Sequence, residues 1–358
     1  MKLNNLLEHM VERRSSDLHL KIGRPPILRI DGKLHPTDME RIRPQDMSDF
    51  IYDVLSEHDQ ERLAKNRGID IAYSLPGVSR FRVNIFYQRG TPAMVIRTIP
   101  FNIASLEDLG MPEKVTELAE KNSGLVIITG PAGCGKSTTL AAMIEHANMK
   151  FEKQIVTIED PIEFLFNDKE SSIIQREVGS DTTSFAEGLR MVFRQDPDTI
   201  VIGEMRDLDT ISTAMGAAET GHLVLSTLHT MDAPQTVDRI IDSFPQQQQR
   251  QIRIQFSQTL QGIISQRLVN LKNGRGRYAA VEILINSPAV SDMLLDGKTG
   301  DLYEAMRSSV EDFGMQTLEQ SLAALTVHEL IDYDEAKLHA SRLTELDNAL
   351  RALFPDYV

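Results

Sequence analysis

The chain has 358 residues, of which 41 % are hydrophobic and 25 % charged, as expected for a soluble globular protein of about two domains. Its formal net charge of −14 disfavours non-specific attraction to nucleic acid or anionic lipid, which requires clustered Lys and Arg. No apolar run approaches the roughly 20 residues that span a bilayer, the N-terminus lacks a continuous apolar signal stretch, and Cys134 is the only cysteine. We therefore expect no integral membrane segment, no secretory signal, no internal disulfide and no cysteine-only zinc site.

The first hundred residues predict a small α+β domain. Short β-rich runs at 17–20 and 27–34 alternate with Pro and Gly, and Asp31-Gly32 predicts a hairpin turn. A helical stretch is expected around 44–65, followed by strands at 69–75, 79–88 and 93–98. Pro100-Phe101-Asn102 interrupts this pattern, so we place two domains at 1–100 and 101–358.

From Leu106 the chain alternates strands and helices, which is typical of a parallel α/β sheet. Four short, β-branched apolar runs predict central strands covered on both faces, at 125–129, 154–158, 199–202 and 223–227. Helices are expected at 185–193 and 207–219, and after about Gln246 the chain is expected to be mostly helical apart from a hairpin around 273–276. The second domain is thus predicted to be α/β with a helical C-terminal part.

A phosphate-binding loop is predicted between the first of these strands and the helix that follows it. The pattern G-x-x-x-x-G-K-[ST] is formed by Gly130, Pro131, Ala132, Gly133, Cys134, Gly135, Lys136 and Ser137, and Thr138 comes next. Glycines allow backbone N–H groups to face phosphate oxygens, Lys136 can reach the β and γ phosphates, and Ser137 can bind Mg²⁺. The motif predicts binding of ATP with Mg²⁺. The alternative is a Gly-rich turn that matches by chance, and Cys134 is either an oxidation-sensitive residue or simply a small one.

An apolar strand ends in an acid at Glu204. Such a strand brings a carboxylate to the edge of the sheet where the phosphates are expected, so Glu204 is a candidate for orienting or deprotonating the attacking water. The alternative is a strand-end acid that caps the next helix.

Three carboxylates follow another strand at Glu159, Asp160 and Glu163. Acids this close repel one another unless a cation lies among them, which suggests that Glu159 and Asp160 coordinate Mg²⁺ through water. Glu163 is a second candidate for acting on the attacking water, and the sequence does not divide that role between Glu163 and Glu204. The alternative is a solvated acidic turn.

His222 and His229 bracket the predicted strand at 223–227. Two histidines beside a strand parallel to that of the phosphate loop could sense the γ-phosphate, or they could be packing residues. Arg80, Arg82, Arg89 and Arg97 recur on the strands that end the first domain. They form either a solvated face or a set from which some arginines reach nucleotide phosphates.

The order of these motifs resembles that of the secretion ATPases, and in particular the type IV pilus retraction ATPases of the PilT/PilU family. The likeness covers nearly the whole chain and includes the segments 16–20, 29–34, 80–84 and 260–268. It implies a PAS-like N-terminal domain, a RecA-like P-loop ATPase domain, a homohexameric ring and ATP-driven pilus retraction. It also implies a cytoplasmic location at the inner face of the membrane and a pilus inner-membrane platform protein as partner.

The resemblance further implies a role for individual residues. Glu204 would be the catalytic acid with Glu163 assisting, and both His222 and His229 would lie close to the nucleotide. Arg82 and Arg97 would contact phosphates when the domains close.

One segment departs from the family pattern. Residues 289–295 read Ala-Val-Ser-Asp-Met-Leu-Leu, where the retraction family has an Ala-Ile-Arg-Asn-Leu-Ile-Arg type of sequence tied to retraction. The departure leaves two alternatives to a retraction motor: an accessory paralogue, or a nucleotide-dependent binding module that assists a separate pilus ATPase. An extension or secretion ATPase with a four-cysteine zinc insert is excluded by the single cysteine, and the acidic balance disfavours a motor on nucleic acid.

Overall fold

The computed structural model describes residues 1–30, 32–99, 103–274 and 276–354. The chain forms two compact units, Met1–Asn102 with Glu163–Leu165 and Ile103–Ile162 with Phe166–Val358. Each contains a β-sheet with helices, so the protein is of the α/β class. In the described part of the chain, no helix is both long and apolar enough to cross a membrane.

The N-terminal unit is built on a six-stranded antiparallel sheet. Its order is β3-β2-β1-β6-β5-β4, where β1 to β6 are Asp17–Lys21, Ile27–Ile30, Lys33–Pro36, Gly68–Leu75, Ser79–Gln88 and Thr91–Ile99. Helices α1 to α3 are Leu3–Glu12, Pro44–Val54 and Glu57–Asn66. Alternate residues of β5, Phe81, Val83 and Ile85, are fully buried, as the two-residue period of a strand covered on one face requires.

The second unit contains a seven-stranded sheet in the order β13-β12-β7-β11-β10-β8-β9. Strands β7 to β13 are Gly124–Thr129, Gln154–Glu159, Ser172–Glu177, Thr199–Ile202, Leu223–Leu228, Leu260–Asn270 and Arg277–Ile285. All pairs are parallel except β12 with β13, which is an antiparallel hairpin. Strands β7, β10 and β11 are buried along their whole length because helices cover both faces.

The helices of the second unit lie in the connections of this sheet and beyond it. Helices α4 to α9 are Glu113–Ala119, Lys136–Lys150, Phe185–Val192, Leu208–Glu219, Ala233–Asp242 and Gln246–Thr259. After the hairpin come α10 to α15: Pro288–Asp296, Leu302–Ser308, Val310–Phe313, Leu318–Val327, Tyr333–His339 and Leu343–Leu353. Apolar residues of the sheet and helices form two large buried clusters, one on each side of β7.

The predicted central strands are confirmed, as is the helical C-terminal part. The expectation that residues 260–270 are helical was wrong, because this segment pairs with β7 on one side and β13 on the other. The stretch 44–65 is two helices, separated by Leu55 and Ser56, and β9 and α1 were not anticipated. The hairpin residue Asp31, the break at 100–102 and the turn residue Arg275 lie outside the described residues.

Candidate functional site

The phosphate loop connects the end of β7 to the start of α5. Gly130, Gly133 and Gly135 have φ angles of 139°, 75° and 92°, values that L side chains rarely adopt. A Cβ on Gly130 would lie 2.3 Å from the Gln266 carbonyl oxygen, so this turn requires glycine. Gly135 is the N-cap of α5 and has no side chain, so the first amide N–H groups of the helix are left for an anion.

Lys136 lies inside the loop and is buried. Its Nζ donates to the carbonyl oxygens of Gly130, at 2.8 Å, and Pro131, at 3.0 Å, and it lies 3.2 Å from Nδ1 of His229. An ammonium group has donors only, so Nδ1 accepts and the imidazole proton is on Nε2. Nε2 of the same ring lies 3.2 Å from Oε1 of Glu204. His229 thus joins the lysine of the loop to the candidate catalytic carboxylate.

The sheet explains why these residues meet. The carboxyl ends of β7, β11 and β10 carry Lys136, His229 and Glu204, and these strands are direct neighbours. The Thr227 hydroxyl donates to the Gly203 carbonyl at 2.6 Å, which ties the Glu204 turn to β11. The other carboxylate oxygen of Glu204 accepts a hydrogen bond from Arg206 Nε at 2.8 Å.

His222 is not brought to this site within the chain. It precedes β11, and its carbonyl accepts the N–H of Gly124 at the beginning of β7, which is the end opposite the phosphate loop. Nδ1 of its ring lies 3.1 Å from the Ala217 carbonyl, and the ring packs edge-on against Phe193. Two histidines that bracket a six-residue strand are separated by its length, about 20 Å.

The acidic segment lies along the same edge of the sheet but farther away. Glu159 ends β8, which is three strands from β7, and its Oε1 accepts hydrogen bonds from Thr157 Oγ1 at 2.6 Å and Gln175 Nε2 at 3.1 Å. Adjacent strands are about 4.8 Å apart, so Glu159 ends a strand three such spacings from the phosphate-loop strand, and the magnesium role of Glu159 and Asp160 stays a prediction. Glu163 belongs to the N-terminal unit, and its role stays a prediction.

No group of three or more His, Cys, Asp or Glu side chains suited to a metal occurs within the described ranges. A P-loop magnesium ion does not need one, because a hydroxyl, phosphate oxygens and water complete its coordination. Ser137, the second residue of α5, is the donor that fits this set.

The two predicted phosphate-binding arginines both pair with acids of the N-terminal sheet. Arg82 Nε donates to Asp70 at 2.8 Å, and Arg97 Nε donates to Asp17 at 2.8 Å. Burial opposes ionisation of Asp17, yet hydrogen bonds from Ser16 and Arg97 hold the pKa of its carboxyl below its ordinary value. The side chains of both arginines are partly exposed, and their phosphate role stays a prediction.

Residues of the β12–β13 hairpin at the loop were not singled out from the sequence. Gln266 is buried and donates from Nε2 to the Cys134 carbonyl at 2.7 Å. This hydrogen bond ties the phosphate loop to β12. Burial also raises the pKa of the Cys134 thiol, so the thiol is not activated. The sequence signal was a polar Ser-Gln pair within an apolar strand.

A groove of about 380 Å³ opens beside the start of α5. Its lining includes Gly135, Thr138 and Thr139 of the loop and helix, Leu268 and Tyr278 of the hairpin, and Leu109. This mixture of aromatic, aliphatic and hydroxyl groups, continuous with the phosphate loop, suits the nucleoside part of a nucleotide.

Comparison with known proteins gives consistent relatives. The family model described as type II/IV secretion system protein matches residues 1–339. The type IV pilus retractation ATPase PilT of Pseudomonas aeruginosa is 42 % identical over 337 residues, which is 94 % of this chain and 97 % of the relative. PilU, a type IV pilus ATPase of the same organism, is 40 % identical over 346 residues, 97 % of this chain and 90 % of the relative.

Solved structures agree. A crystal structure of the pilus retraction motor PilT with bound ADP has a TM-score of 0.90 at 44 % identity and covers 97 % of this chain and 99 % of that one. The ATPase DotB of Legionella pneumophila has a TM-score of 0.83 at 29 % identity, with 94 % of each chain covered.

Proposed function

Because the chain belongs to the family of type II/IV secretion system proteins, we propose that it is an ATP-hydrolysing motor that powers retraction of type IV pili. The observation that supports this most is the connection of Lys136 through His229 to Glu204 at one edge of the parallel sheet. Phosphoryl transfer needs a positioned nucleophile and charge stabilisation more than covalent chemistry, and these three side chains can supply both.

The phosphate loop binds the β and γ phosphates of ATP with its backbone N–H groups and with Lys136. Ser137 holds Mg²⁺, which neutralises the charge that develops on the phosphates. Glu204 orients and deprotonates the attacking water. His229 senses the γ-phosphate and contacts Glu204. The groove that includes Thr138 and Tyr278 receives the nucleoside.

The working form is a homohexameric ring that acts on a pilus platform protein in the inner membrane, from the cytoplasmic side. Arg82 and Arg97 of one subunit contact the nucleotide that the phosphate loop of its neighbour binds, and Glu163 assists Glu204. Two features support this scheme: the similarity to pilus retraction ATPases over nearly the full chain, and exposed guanidinium groups on β5 and β6.

The function is tested by phosphate release from ATP and by nucleotide binding. Glu204→Gln should lower kcat about a hundredfold or more while the ATP Kd stays within about threefold, because the amide cannot act as a base. Lys136→Ala should weaken ATP binding about tenfold to a hundredfold, since it removes a charged hydrogen-bond donor.

The matched control is Glu187→Gln, which neutralises an exposed acid on α6 and should leave both quantities unchanged. Turnover that persists in Glu204→Gln and disappears in Glu163→Gln would transfer the catalytic role to Glu163. If the parent protein shows no ATP turnover that Glu204→Gln abolishes, the ATPase function is refuted.

A second candidate is an accessory role beside another pilus ATPase. It is supported by the similarity to PilU and by α10, where Asp292 is exposed in the segment that departs from the retraction pattern. Expression in a pilus-bearing strain that lacks its retraction ATPase distinguishes the two. A motor restores retraction alone, whereas an accessory protein restores it only with a second pilus ATPase present.

A further inference from the structure

A buried carboxylate lies next to the ATPase site without belonging to it. Glu282 of β13 is 4 % exposed, and no ion pair in the described part of the chain includes it. One of its oxygens accepts the N–H of Ala233 at 2.8 Å, and Ser265 lies directly opposite Glu282 in the pairing of β12 with β13, where its hydroxyl favours the ionised carboxyl. A buried carboxylate without a cation is costly, so a structural reason for retaining it is expected.

Both partners of Glu282 lead to the candidate active site. Ser265 also accepts a hydrogen bond from Thr129 Oγ1 at 3.0 Å, and Thr129 is the last residue of β7 before the phosphate loop. Ala233 is the first residue of α8, which begins four residues after His229. A continuous buried path therefore runs from the base of the phosphate loop to the helix that follows the histidine.

The arginines that line a cavity beside Glu282 are engaged elsewhere. A cavity of about 40 Å³ beside Glu282 is also lined by Arg267, Arg342 and a second buried acid, Glu319. Arg267 donates to Ser341 at 2.9 Å, and the Arg342 guanidinium stacks 3.6 Å above the ring of Tyr303. The start of α8 is therefore the positive end that Glu282 faces.

We propose that Glu282 is a positioning residue of the ATPase site: together with Ser265 it joins the end of the phosphate-loop strand to the first turn of α8, and thereby holds His229 between Lys136 and Glu204. The proposal rests on the ATPase function given above. It assigns to the carboxylate a role in turnover, with no contact to nucleotide.

Glu282→Leu tests it because leucine fills similar space without an acceptor. The Ala233 N–H then loses its partner and the loop 229–232 loses its anchor, so kcat should fall about tenfold to a hundredfold while the KM for ATP stays within about twofold. Glu282→Gln keeps an acceptor oxygen and should restore kcat to within about threefold of the parent.

Glu319→Leu is the matched control. Glu319 is equally buried and lines the same cavity, but it accepts the N–H groups of Ser341 and Arg342, at 3.0 Å each, and holds the C-terminal segment instead of α8. Its kcat should equal that of the parent. An equal loss of kcat in Glu319→Leu, or parental kcat in Glu282→Leu, would show that Glu282 has no positioning role.

Hydrogen exchange measured by mass spectrometry gives a readout that does not depend on turnover. Amides at 229–237 should exchange faster in Glu282→Leu than in Glu319→Leu, while the N-terminal unit exchanges at its parental rate in both. If Glu282→Leu does not fold, Ser265→Ala interrupts the same path with a smaller change in the core. A kcat equal to that of the parent in Ser265→Ala would overturn the inference. If the parent protein shows no ATP hydrolysis that Glu204→Gln abolishes, the ATPase function itself is refuted. The hydrogen-exchange result would still decide whether Glu282 holds α8.

Discussion

At the scale of single residues, Glu282 also makes the stability of the protein depend on pH. Burial raises the pKa of its carboxyl from 4.5 to about 7, with the like charges of Asp232 and Glu319 acting in the same direction. Between these values the unfolded chain ionises Glu282 while the folded chain keeps it protonated. Folding stability from this group is therefore full below about pH 4.5 and is lost as the pH rises to about 7, a change of about 3 kcal/mol.

Glu282→Gln should remove this dependence, because an amide does not ionise. The unfolding free energy of the variant minus that of the parent should be larger at pH 8 than at pH 5, by on the order of 3 kcal/mol. Denaturant titrations of both proteins at the two pH values measure this difference. A difference between parent and variant that is the same at both pH values would contradict it.

The residues that carry the proposed chemistry could be selected from the sequence only in part. The phosphate loop and Glu204 have local signatures: a glycine pattern between strand and helix, and an acid at a strand end. His229 and His222 have equivalent local sequence settings, and only the strand direction shows that one is beside Lys136 and the other at the opposite end. Gln266 has only a weak local signal, a polar Ser-Gln pair, and the positions of both Gln266 and Glu282 depend on pairing between strands that are distant in sequence.

At the scale of secondary-structure elements, helix α7 is held at its start by Asp207. The side chain accepts the N–H of Thr210 at 2.8 Å, and the helix begins four residues after Glu204. Asp207→Ala should lower the unfolding free energy by about 1 kcal/mol, because an amide N–H of the first turn loses its cap. Asp207→Asn retains an acceptor and should cost only a few tenths of that, as measured by the denaturant midpoint. Equal losses in both variants would show that the cap does not hold the helix.

The elements that the sequence predicted correctly are those whose periodicity is unambiguous. Strands β7, β10 and β11 are short β-branched runs, and β5 alternates buried and solvent-facing residues. Strand β12 has eleven residues, and five of them, Gln261, Ser265, Gln266, Arg267 and Asn270, are polar. Its pattern is compatible with a helix. The segment forms a strand because it pairs with β7 and β13, and this pairing cannot be recognised from the local sequence.

At the scale of the whole molecule, the proposed ring makes the arginines of one subunit act on the nucleotide of the next. Within the chain, the partly exposed side chains of Arg82 and Arg97 are held by Asp70 and Asp17 of the N-terminal sheet. Such pairs contribute little to stability when exposed, since solvent screens them. Arg82 and Asp70 are both partly exposed, so Arg82 could exchange this carboxylate for a phosphate at small cost, as charge-stabilising arginines at subunit boundaries do. Asp17 is buried, and Arg29, 3.8 Å away, is the cation that stays beside it when Arg97 contacts a phosphate.

Mixed assemblies test whether the arginine acts between subunits. Lys136→Ala lacks a working phosphate loop and Arg97→Ala lacks the arginine, so each alone should hydrolyse ATP far more slowly than the parent. When the two variants are co-expressed with different tags and purified through both, about a quarter of the sites pair an intact loop with an intact neighbouring arginine in a randomly mixed ring. Phosphate release should then recover to about that fraction of the parental rate. The control is Lys136→Ala mixed with Glu204→Ala. It cannot recover, because both residues belong to the half of the site that one subunit supplies. Recovery no greater than in the control would place Arg97 in its own subunit's site or outside the chemistry, and would remove the reason for hydrolysis to require a ring.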